Sequence, residues 1–97
     1  MAGGSVLIVR PCRDKAGFKA TPTKKFHLDL AGTEQLLEKG DGYTVLVSTP
    51  HMTVFRSVNS PVEVTIYRSG KMLIKNVRDL EEARDVATTI FRVLSTS

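Results

Sequence analysis

VEVTIYRSGKMLIKNVRDLEEARDVATTIFRVL, residues 62–94, decides the fold class of this chain. Val62, Val64 and Ile66 alternate with Glu63, Thr65 and Tyr67, the period of two that gives a half-buried strand one apolar face. Ser69-Gly70 follows; glycine takes the positive φ that a tight hairpin demands, so the spacing predicts a two-residue turn. Lys71, Leu73 and Lys75 then alternate with Met72 and Ile74 as the return strand. Asp79 stands as a helix N-cap, with Glu82 at the capping-box position. Leu80, Ala83, Val86, Ala87, Ile90, Phe91 and Leu94 recur at helical spacing, opposite Glu81, Asp85, Thr88, Thr89 and Arg92. Asp79, Glu81 and Glu82 crowd the helix start and Arg92 lies near its end, as the helix dipole favours. An apolar strand face followed by one apolar helical stripe predicts a helix packed on a sheet.

Upstream, YTVLVST (43–49) and MTVFRS (52–57) read as strands separated by a Pro50-His51 turn, and residues 59–61 break the chain before Val62. Phe26, Leu28 and Leu30 alternate with His27 and Asp29, which predicts a short strand running into a first helix. Thr33 is placed to cap that helix, Leu36 and Leu37 to bury, and Lys39-Gly40 to end it. The apolar run 6–9, stopped at Arg10-Pro11, reads as a buried strand. The expected architecture is an α+β domain of order β-α-β-β-β-β-α, an antiparallel sheet with two helices packed on one face.

Residues 10–25, RPCRDKAGFKATPTKK, carry six basic residues (Arg10, Arg13, Lys15, Lys19, Lys24, Lys25) against the single acid Asp14. Pro11, Gly17 and Pro22 punctuate the segment, so it is either a long loop or a poorly paired hairpin. Functionally it is either a solvated loop or an electrostatic arm for phosphate or an acidic protein.

The chain has 97 residues, 14 basic and 10 acidic side chains for a net charge of +4, and 41% apolar residues. That is one domain, 1–97, with 1–4 as a loose end, able to bury ~60–65% of its unfolded surface. MAGGSVLIVRPCR lacks the basic flank and length of a signal peptide or spanning helix; a cytoplasmic protein without membrane contact is expected. Cys12 is the only cysteine, so no internal disulfide forms, and a small apolar role at a strand end is expected for it. His27 and His51 have no further donors at ligand spacing, so neither metal nor cofactor is expected. Glu81-Glu82 are accounted for by the helix start, Gly70-Lys71 by a hairpin, and Ser48 and Ser57 have no nucleophile-elbow context. No catalytic residue is nominated, and an enzyme is not expected.

Ile66-Tyr67-Arg68-Ser69-Gly70-Lys71-Met72-Leu73, followed by an acidic helix start, resembles the end of one repeat of the TATA-box-binding protein family. That family has an aromatic, one residue, then SGK and a hydrophobic strand; Leu28-Asp29-Leu30 resembles the LDL opening the first helix of such a repeat. The likeness spans roughly residues 28–94 and implies a TBP-like half repeat, with a curved sheet carrying its helices on the convex side. The family binds DNA with two repeats in one chain, and this chain has room for one. Tyr67 falls at one of the family's wedge positions, the other falls near Pro50-His51, and Lys75 replaces a small groove-facing residue. The implied contact is therefore without the family's kink.

Taken together, the expected function is a non-catalytic nucleic-acid-binding module for DNA or RNA. Tyr67, Lys71, Leu73 and Lys75 on the sheet face would act with Lys24 and Lys25 of the basic segment. The alternative is a protein-interaction or assembly module without nucleic acid, whose partner is another protein or a second copy in a homodimer.

Overall fold

Residues 62–94 fold as their pattern dictates. In the computed structural model, which describes residues 7–12, 17–24, 27–40 and 42–95, Glu63–Tyr67 and Met72–Lys75 pair antiparallel, Val64 opposite Ile74 and Ile66 opposite Met72. All four of these apolar side chains are buried. The turn between the strands has three residues rather than two: Tyr67 N–H donates to Lys71 O and Gly70 N–H to Tyr67 O (both 2.9 Å), with Gly70 at φ 91°. This is the longer hairpin loop whose last residue must be left-handed.

Helix Leu80–Ser95 opens on the expected cap. Glu82 N–H donates to Asp79 Oδ1 (2.9 Å), while Glu82 Oε1 accepts from the backbone N–H of Arg78 (2.7 Å). The reciprocal bond thus reaches one residue further back than in the usual capping box. Ala83, Ala87, Ile90, Phe91 and Leu94 are buried, and Glu81, Asp85, Thr88, Thr89 and Arg92 are exposed.

In chain order the elements are β1 (Leu7–Pro11), β2 (Phe18–Pro22), α1 (Leu30–Gly40), β3 (Tyr43–Ser48), β4 (Met52–Ser57), β5 (Glu63–Tyr67), β6 (Met72–Lys75) and α2 (Leu80–Ser95). The strands form one six-stranded sheet of order β1-β2-β6-β5-β4-β3 with every pair antiparallel. Leu30 and Leu37 of α1 and the buried stripe of α2 join Leu7, Ala20, Met72, Ile74, Val64, Ile66 and Phe55 in a single core. These strand residues lie on one face by register, so both helices cover that face and the other is open.

Four further expectations are corrected. The order is ββαββββα, because residues 10–25 hold a well-paired strand: β2 pairs with β1 over five positions and with β6 over three. Ala20 fits there because its small side chain, fully buried between Val9 and Met72, leaves room for the helices above. The buried strand expected over 6–9, of which Val6 lies outside the described residues, is the edge strand β1; Ile8 is 43% exposed because its side of the strand points away from the helices. The short strand expected over residues 26–30 does not form within the described residues, of which Phe26 is not one. Instead α1 begins at Leu30, and Thr33 lies inside it, its N–H and Oγ1 both donating to Asp29 O (2.9 Å). Asp29, not Thr33, stands at the cap position.

Candidate nucleic-acid interface

Strand periodicity sorts the side chains of the sheet into two faces. Registers carry the open face across all six strands: Arg10 stands opposite Lys19, Lys19 opposite Leu73, Leu73 opposite Thr65, Thr65 opposite Val54 and Val54 opposite Val47. On one side of this row Lys75, Glu63, Arg56 and Thr44 align. On the other, Tyr67 stands opposite Met52, and Ile8 opposite Thr21. Lys71 lies beside Tyr67, its Nζ 5.2 Å from the ring centroid, a cation–π contact that holds the lysine over the aromatic face.

Four of the six expected site residues therefore share the open face: Tyr67, Lys71, Leu73 and Lys75, each half-buried. Lys24 does not join them. It is exposed in the bend that follows β2, on the way to α1. Lys25 lies outside the described residues. Three cations that the sequence reading left out of the site belong to the face: Arg10, Lys19 and Arg56, all exposed. Arg56 was findable, since in MTVFRS it alternates with the buried Phe55. Arg10 and Lys19 required the β1–β2 hairpin.

The acids divide with the layers, while the cations are shared, with Lys39, Arg78, Arg84 and Arg92 in the helices or just before them. Arg10, Lys19, Arg56, Lys71 and Lys75 lie on the open face, against the single acid Glu63. Every other described acid (Asp29, Glu34, Glu38, Asp79, Glu81, Glu82 and Asp85) lies in a helix or immediately before one. A chain of only modest net charge thereby presents one distinctly cationic side.

A cleft of about 620 Å³ lies at the end of the sheet between α1 and the β3–β4 and β5–β6 turns, bounded by His27, Asp29, Glu34, Ser48 and Arg68 among others. Its most enclosed acid already serves the fold: Glu34 Oε2 accepts from Ser48 Oγ (2.6 Å) and from Thr53 Oγ1 (2.8 Å), which satisfies the fully buried Thr53. Among the described residues no three His, Cys, Asp or Glu side chains gather as metal ligands would, and no buried polar side-chain atom is left without a partner. Cys12, just after β1, is half-buried, and its N–H donates to Gly17 O (2.8 Å). Among the described residues no helix is long and apolar enough to cross a membrane. No family model, no curated protein and no solved structure matches this chain.

Proposed function

We propose that this chain is a non-catalytic nucleic-acid-binding module, folded as a single repeat of the TATA-box-binding-protein type, that holds DNA or RNA against the open face of its sheet. The observation that carries the reading is the separation of charge: five cations against one acid on the open face, with the other described acids among the helices. Phosphate binding is dominated by such clustered lysines and arginines, and acids on the far side keep the rest of the surface from competing. Between the cations the face offers Tyr67, Met52, Leu73 and Val54, side chains suited to sugar and base surfaces. The test is titration of the protein against labelled duplex and single-stranded oligonucleotides at low salt. Binding that weakens steeply with added salt supports the proposal. Absence of binding at concentrations on the order of tens of micromolar, the range of ordinary non-specific affinity, sinks it.

A second reading, a protein-interaction module, draws on Leu46 and Val47, adjacent on the outer strand β3 and 48% and 45% exposed. It requires that retention on nucleic acid be absent and that capture of a protein partner survive nuclease treatment.

A further inference from the structure

The open face is cationic on one half only. Arg10 of β1, Lys19 of β2, Lys71 just before β6 and Lys75 at its end put four cations on the β1–β2–β6 half, with no described acid on those strands. On the other half Arg56 is the single described cation, Glu63 stands between it and Lys75, and the remaining positions are Tyr67, Met52, Thr65, Val54, Val47 and Thr44. A duplex presents two phosphate backbones flanking a groove, so a face that seats one needs cations along both sides. This face supplies one side.

We infer that the partner, on the reading proposed above, is a single-stranded nucleic acid. Its sugar–phosphate backbone runs along β6 and β2, and its bases lie across β5, β4 and β3. Register supplies three levels. At the first, Lys71 sits by Tyr67, which faces Met52. At the second, Arg10, Lys19 and Leu73 continue into Thr65, Val54 and Val47. At the third, Lys75 continues into Glu63, Arg56 and Thr44. Same-face residues along a strand are ~6.6 Å apart, a step comparable with that between successive phosphates of an extended single strand. The face thus accommodates about three nucleotides, each with a cation for its phosphate and a platform for its base.

The platforms differ in kind. Tyr67 turns its ring toward Lys71, so a base that takes the place over the ring releases that lysine to a phosphate. The second platform is largely aliphatic, with Thr65, only 8% exposed, standing between Val54 and Leu73, and it accepts any base. Glu63 and Arg56 form the third, where a carboxylate can accept from an exocyclic amine and a guanidinium can donate to a ring acceptor. Base preference is confined to that level.

The experiment compares labelled oligo-U, oligo-dT and a mixed-sequence duplex of equal length, over a range of salt, on the parent protein, Lys19→Ala and Tyr67→Ala. Circular-dichroism melting establishes that both variants are folded. The expected result is that single strands bind about tenfold or more tighter than duplex, with a slope of log K against log salt of about −2 to −3. Lys19→Ala flattens that slope by ~0.7, and Tyr67→Ala lowers single-strand affinity by about tenfold with the slope unchanged. A difference between the U and dT arms, which differ in the 2′-hydroxyl and in the C5 methyl of the base, with both tighter than duplex, upholds the inference. Duplex binding as tight as either single strand, or a slope indifferent to Lys19, overturns the single-strand assignment while leaving the open face as a general nucleic-acid surface. Binding by none of the three probes overturns both.

Discussion

Replacing Ile90 with alanine removes everything beyond Cβ from a side chain that is 0% exposed in the middle of the buried stripe of α2. The lost transfer free energy, at about 0.8 kcal/mol per methylene-sized group, comes to roughly 2.4 kcal/mol. The hole left between helix and sheet adds to this, so the expected loss lies at about 2–5 kcal/mol. Thr89, one residue earlier, faces solvent, and Thr89→Ala should change stability by no more than about 0.5 kcal/mol. Against a total of about 5–15 kcal/mol for a domain of this size, the first variant forfeits a large share and the second almost none. Urea denaturation followed by circular dichroism reads both, and an unchanged m-value shows that the same surface is exposed on unfolding. In thermal melts each kcal/mol is worth roughly 4–8 °C in Tm. Small and equal losses for the two variants would refute the docking of α2 on the sheet, and with it the claim that only the opposite face is open.

Asp79→Ala removes the acceptor for Glu82 N–H and should cost about 1 kcal/mol, measured by the same denaturation. Gly70→Val forces a β-branched residue to φ 91° and should cost at least about 1 kcal/mol, more than the same change at Gly40, where an added Cβ meets nothing. The sheet edges resist pairing with another copy: Val45 N–H on β3 donates to Glu38 Oε2 (3.4 Å), the β3–β4 register is bulged between Val45 and Val47, and Pro11 gives β1 a position with no donor. Light scattering at high micromolar concentration should therefore give the mass of one chain; a two-chain mass would show that these devices fail to protect the edges.

What the sequence discloses and what it hides follows from how locally each element is determined. Helix α2 is legible because its cap, its stripe and its wet face all lie within its own turns, and β4, β5 and β6 because Phe55, Val64, Ile66, Met72 and Ile74 alternate cleanly with their neighbours. Strand β2 is illegible for the opposite reason. Phe18-Lys19-Ala20-Thr21-Pro22 has little strand propensity of its own, and its place is set by contacts remote in sequence. Ala20 fills a slot between Val9 and Met72, and Gly17 brings the chain so close to β6 that a Cβ there would collide with the Ile74 carbonyl oxygen. Gly32, a poor residue for a helix by propensity, stands inside α1, where Asp29 Oδ2 lies 3.0 Å from where its Cβ would be, so the missing side chain leaves room for the residue at the cap position. The site divides along the same line. Tyr67, Lys71, Leu73 and Lys75 follow from a period of two in adjoining strands, whereas Arg10 and Lys19 reach the face only once the first hairpin docks on β6. The half-and-half distribution of charge is a property of strand order alone. With β1 and β2 next to β6, four cations fall on contiguous strands; the same residues beyond β3 would have flanked the apolar strip on both sides. Topology, more than composition, thus turns a mildly basic chain into one with most of its open-face cations gathered on one half of the sheet.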